Sequence, residues 1–132
     1  MPGCVLRVET KDVDTAVSAS GLRPIAVFRK GTPKAPGAST LATCSGFNVD
    51  VSRHEDLEQQ VRGAVRFLKR HAAGLQRLQR SRGFRGMALD FGNWYRATAE
   101  APWPSYRFPA ALVELAGKHG IEIELSLYGP RR

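Results

Sequence analysis

At 132 residues, with 42% apolar and 24% charged side chains, the chain fits one globular domain over 1–132 that buries its own core without staples. No apolar run approaches the roughly 18–20 residues of a membrane span, and MPGCVLRVETKD lacks the basic and apolar regions of a secretory signal, so a cytoplasmic protein is expected. Twenty Lys and Arg against twelve Asp and Glu leave a formal charge of +8, which favours an anionic partner through long-range attraction.

Cys4, Leu6 and Val8 alternate with Val5, Arg7 and Glu9, the period of a half-buried strand. Asp12 caps a short helix with Val13, Ala16 and Val17 inside, and Gly21 stops it because glycine takes the left-handed conformation without strain. Pro24 bars a longer helix, so PIAVFRK reads as a second strand. KGTPKAPGAST is rich in Gly, Pro and Ser and reads as an exposed, mobile loop. A third strand follows from about Thr40 to Val51, with Phe47, Val49 and Val51 on one face, Asn48 and Asp50 on the other, and a bulge at Gly46. Cys4 and Cys44 form no CxxC pair and fall in different strands, which favours two buried free thiols.

Ser52 and Glu55 have the spacing of a capping box, with Asp56 and Glu58 meeting the dipole of a long helix. Its apolar stripe is Leu57, Val61, Ala64, Val65, Leu68, Ala72 and Leu75, and its length predicts a bend or break near Ala72–Gly74. FRGMALDF returns as a strand with Met87, Leu89 and Phe91 on one face. An irregular aromatic segment leads on to Pro109, which suits the first turn of a helix with Ala111, Leu112, Leu115 and Ala116 inside. Gly120 ends that helix, and IEIELSLY alternates strictly as a closing strand. The order strand-helix-strand-strand-helix-strand-helix-strand predicts a single α+β domain. The expected form is a ferredoxin-like variant whose mostly antiparallel sheet is covered on one face by helices.

GLRP (Gly21–Pro24), the strand ending RKG (Arg29–Gly31), the helix after Ser52, GLQRL (Gly74–Leu78) and the closing helix–glycine–strand ending at Tyr128 resemble a family of small bacterial domains of unknown function. The resemblance covers nearly the whole chain. Where members often carry a tryptophan in the third strand, this chain has Phe47. The resemblance brings no catalytic residues, and by analogy it implies an antidote role in a toxin locus.

His54, His71 and His119 share no ligand spacing with Cys, Asp or Glu, and no HExxH or paired CxxC is present, so no metal, cofactor or catalytic residue is expected. An enzyme built on Asp90 with Tyr95 and Arg96 lacks further partners. The loop holding Arg29, Lys30 and Lys34 opens no helix and lacks the GxxxxGK[ST] pattern, so it reads as a connector rather than a phosphate cradle.

Two surfaces remain. In the aromatic segment Trp94 and Tyr106 are expected to pack inward, while Tyr95 and Trp103, with Arg96 and Arg107, face solvent or a partner. The competing reading makes the segment a lid on the core. A non-enzymatic interaction module with an acidic protein partner follows from the first reading. The alternative is nucleic acid bound along Arg62, Arg66, Lys69, Arg70, Arg77 and Arg80, which share an arc of ~100° if the long helix is continuous.

Overall fold

A computed structural model describes residues 2–95 and 105–129. Strand β1 (Cys4–Thr10) buries Cys4, Leu6, Val8 and Thr10 and leaves Arg7 and Glu9 exposed between them, as its alternation requires. Helix α1 (Val13–Ser20) is capped by Asp12, which accepts from the Thr15 amide at 3.2 Å and the Thr15 hydroxyl at 2.8 Å. These bonds favour the ionised form and hold the Asp12 carboxyl below the usual carboxylate range. Gly21 ends the helix at φ 68° with its amide on Val17.

Strand β2 (Ala26–Phe28) is only three residues long, and β3 (Gly46–Ser52) starts later than its apolar pattern suggests. The long helix is two helices. α2 (Leu57–Arg70) and α3 (Ala72–Gln79) meet at His71, which leaves helical geometry at φ −104° and ψ 18°. Strand β4 (Phe84–Trp94), helix α4 (Ala110–Lys118) and strand β5 (Ile121–Tyr128) complete the chain.

The sheet runs β2-β3-β1-β4-β5. Its first three pairings are antiparallel, while β4 and β5 are parallel. Parallel neighbours need a crossover, and α4 supplies it. Among the described residues the arrangement is α+β, with a mixed open sheet and four helices; the break at His71 divides the expected long helix, and the fifth strand is parallel to its neighbour. Leu6, Val8, Phe47, Leu89 and Phe91 project from one sheet face into a core completed by Val13 and Ala16 of α1, Ala64 and Leu68 of α2, Leu75 and Leu78 of α3, and Leu112 of α4.

Three local expectations change. Ser52 stays in β3, where its hydroxyl accepts from the His54 amide, and Asp56 caps α2 by accepting from the Gln59 amide at 3.1 Å. The strand pairing that holds Ser52 outweighs its local capping signal. The bulge lies at Val51, because Cys4 pairs with Ser52 while Val5 pairs with Asp50. Gly46 pairs regularly; a Cβ there would stand 1.9 Å from the Val8 carbonyl oxygen, so glycine serves the close approach of β3 to β1. Ala111 is exposed, since the inner stripe of α4 is Leu112 and Ala116 with half-buried Leu115.

Gln60 lies outside the predicted apolar stripe but is fully buried at the stripe's own spacing. Its amide nitrogen donates to the carbonyls of Gly92 at 2.8 Å and Glu55 at 3.3 Å, and its amide oxygen accepts from the Gly92 N–H at 3.2 Å. The side chain thereby ties α2 to β4 through backbone groups.

Candidate functional site

The helices' inner residues join a core on one face of the sheet, and the residues of opposite parity form the other face. Across that face Arg7 stands between Asn48 and Ala88, with Glu122 beyond. One step along, Val5 stands between Asp50 and Asp90, with Glu124 beyond, and in the other direction Glu9 stands between Gly46 and Gly86. Asp90 is buried at 5% exposure and accepts from Arg7 Nη2 and from Ser126 Oγ, both at 2.6 Å. Two donors thus engage the two oxygens of the buried carboxylate and fix the Arg7 guanidinium over the sheet.

Five of the twelve acidic residues stand on this face: Glu9, Asp50, Asp90, Glu122 and Glu124. Asp90 is paired with Arg7 and Asp50 with Arg53 at 2.8 Å. Among the described residues, Glu9, Glu122 and Glu124 make no ion pair. The strand residues of this face are therefore mainly acidic, on a chain whose net charge is strongly positive.

Its far end is aromatic. β4 continues past Phe91 through Gly92 and Asn93, so the start of the supposed irregular segment is strand. Trp94 has the parity of Asp90 and Gly92, opposite to Leu89 and Phe91, and it lies on the uncovered face at 41% exposure. The expectation that it packs inward fails for that reason. It pairs with Tyr128 of β5, their ring centroids 6.0 Å apart in an edge-on arrangement. On the core side, Phe108 packs its ring 5.2 Å from Phe91, so a residue that sequence reasoning did not single out covers this part of the core.

Tyr95 and Tyr106 are half-buried and Arg107 is exposed. Arg96 and Trp103 lie outside the described residues. The proposed arginine ridge is divided. Arg62, Arg66, Lys69 and Arg70 are exposed on α2, with Arg62 paired to Glu58 at 3.1 Å. Arg77 lies in α3 and Arg80 caps its end, and Arg77 Nε donates to the Ala19 carbonyl at 2.8 Å, so it serves the packing of α3 on α1.

The connector between β2 and β3 is exposed but closed on itself as a small hairpin. Backbone amides of Gly31, Ala42 and Lys34 donate to Ala42, Thr32 and Thr40, and Pro33 bridges Leu41. Ser45 anchors it by accepting from the amides of Lys30 and Thr10. Cys44 sits half-buried in this connector rather than in a strand. Cys4 is buried in β1, and its thiol is pushed far above the usual range by burial and by the nearby Asp90 and Asp50 carboxylates. Both thiols are free. Among the described residues, no three His, Cys, Asp or Glu side chains converge as a metal site needs, and no helix is long and apolar enough to cross a membrane.

His119 is buried, and burial with the neighbouring Lys118 charge holds its imidazole below the usual 6.5; burial and Arg70 do the same for His71. Protonation therefore favours the unfolded chain, which binds the extra protons below pH 6.5. Stability is expected to be full above that pH and to fall as pH drops through it. Urea midpoints measured at pH 7.5 and 5.5 test this, with the difference reduced in a His119→Phe variant.

No family model matches the chain, and no curated protein or solved structure shows a significant match to it.

Proposed function

We propose that this chain is a cytoplasmic, non-enzymatic protein-binding module whose contact surface is the uncovered sheet face. The observation that carries the reading is the face itself, where unpaired Glu9, Glu122 and Glu124 stand on the same side of the sheet as the exposed Trp94–Tyr128 pair. Aromatic rings supply contact area at low entropic cost, and surrounding charge selects and steers the partner. The acidic partner favoured by the net charge does not suit this face; a cationic protein segment does. Net charge sums the whole chain, whereas a partner meets one surface of it.

Asp90 supports a non-catalytic reading, since both carboxylate oxygens are already engaged by Arg7 and Ser126. The two free thiols suit a reducing compartment. We read β1 through β4 as a ferredoxin-like unit, because β2-β3-β1-β4 is antiparallel throughout, with α4 and β5 appended to it. An antidote role, implied by the resemblance to small bacterial domains, is one form of this function. It works by covering a partner's surface and needs no chemistry of its own.

The nucleic-acid reading keeps one observation in its favour: Arg66, Lys69 and Arg70 are exposed on α2 and make no ion pair among the described residues. One experiment separates the two. Affinity capture from the source cells with the intact chain should recover a basic protein, and Glu122→Lys combined with Glu124→Lys should lose it. Arg62→Glu with Arg66→Glu and Arg70→Glu should retain it. Salt-sensitive binding to mixed single strands, abolished by the three arginine reversals, would instead assign the function to α2.

A further inference from the structure

The hairpin connector overhangs the end of the uncovered face, and between them lies a cleft of about 570 Å³. Ligand clefts span roughly 300–1,000 Å³, so its size suits a small molecule. Among the side chains lining it are Arg7, Phe28, Lys34, Asn48 and Arg85. An adjoining cleft of about 390 Å³ shares Glu9, Thr43, Cys44 and Arg85 with the first and adds Lys11 and Lys30.

Three features of this cleft suit a ligand. The amide oxygen of Asn48 is buried without a donor, a cost that folded proteins rarely carry unrelieved. Gly86 interrupts β4 although a Cβ there would meet nothing within 4 Å and its φ is not positive. A glycine inside a strand weakens it; this one adjoins the bulge at Arg85, where Thr10 pairs with Phe84, and leaves open space toward the cleft. Finally, Lys11, Lys30, Lys34 and Arg85 line the two clefts together with the carboxylates of Glu9 and Glu122, and none of the four cations is in an ion pair among the described residues.

We propose that the joined clefts bind a small nucleotide, its planar heterocycle over the floor at Gly86 and its phosphate among Arg85, Lys30 and Lys11. Phe28 forms an aromatic wall on the far side of the cleft, across Glu9 from that floor, with its ring lying over Gly46: a Cβ on Gly46 would stand 2.8 Å from Phe28 Cζ. A flat ring system suits that wall. An exocyclic amino or ring N–H group of the heterocycle donates to Asn48 Oδ1, and Glu122 at the same end accepts further N–H groups. The cation cluster meets the phosphate with charge-assisted hydrogen bonds. Arg7 is already turned toward Asp90, so it borders the site while the other cations carry the anion.

The test is a titration of ¹⁵N-labelled protein with adenosine monophosphate, guanosine monophosphate and inorganic phosphate, read at the amides of Cys44, Asn48, Gly86 and Ala88. At least one nucleotide is expected to shift these amides with an affinity at least tenfold above that of phosphate. Gly86→Val should fill the floor and weaken binding at least tenfold with an unchanged melting temperature. Arg85→Gln, at an exposed position, should weaken it at least fivefold and decides the matter if the valine variant does not fold. The proposal is overturned by absence of shifts with both nucleotides at about 5 mM, where even millimolar affinity would be visible. Equal affinity for phosphate and nucleotide overturns it too, as does undiminished binding by a folded variant.

Discussion

Gly46→Ala is expected to cost more than about 4 kcal/mol, enough to unfold much of the population of a domain whose whole stability is of the order of 5–15 kcal/mol. The added methyl would stand 1.9 Å from the Val8 carbonyl oxygen and 2.8 Å from the Phe28 ring. The ring can turn aside, but the carbonyl belongs to β1, the strand at the centre of the sheet, and it moves only if β1 and β3 part. Chemical denaturation of the variant gives the measurement, with Gly86→Ala as its partner. Gly86 has open space above it, and alanine reduces the freedom of the unfolded chain, so that midpoint should stay level or rise by up to about 1 kcal/mol. Two glycines that flank Glu9, in the strands on either side of β1, should therefore respond in opposite ways. Equal midpoints for the two variants would refute the strand register between β1 and β3.

Leu68→Ala carries the second large effect. Leu68 is fully buried on α2 within the core shared with the sheet. Truncation removes its transfer energy and leaves a cavity that the surrounding sheet and helices cannot close, so a loss of roughly 2–5 kcal/mol is expected. Arg66→Ala, two residues away on the exposed side of the same helix, should stay within about 0.5 kcal/mol. The pair is read as the difference between two urea midpoints at constant slope, which separates a stability change from a change in the unfolded state. A difference below about 1 kcal/mol would mean that α2 does not present Leu68 to the core.

The elements whose cause is local were legible in the chain. Alternation placed β1 and β5. Asp12 and Gly21 bounded α1 because a cap and a left-handed stop each act within a few residues, and three- and four-residue spacing found the buried side of α2 through Val61, Ala64 and Leu68. Where a competing partner comes from elsewhere in the chain, the same local signals misled. Ser52 looks like a helix cap until β1 pairs with it, and Gln60 looks like a surface residue until Gly92 of β4 supplies its hydrogen bonds. Trp94 reads as a core residue until the strand is seen to run three residues past Phe91, where alternation carries the ring to the opposite face. The candidate site was the least legible part. Its members come from β1, β3, β4 and β5 and the hairpin, and only strand pairing sets Arg7 and Asp90, or Asn48 and Gly86, on one surface. Composition determined that this chain is basic. Only the tertiary structure, by sorting side chains between the two faces of one sheet, decided that the strands present mainly acids on the uncovered face.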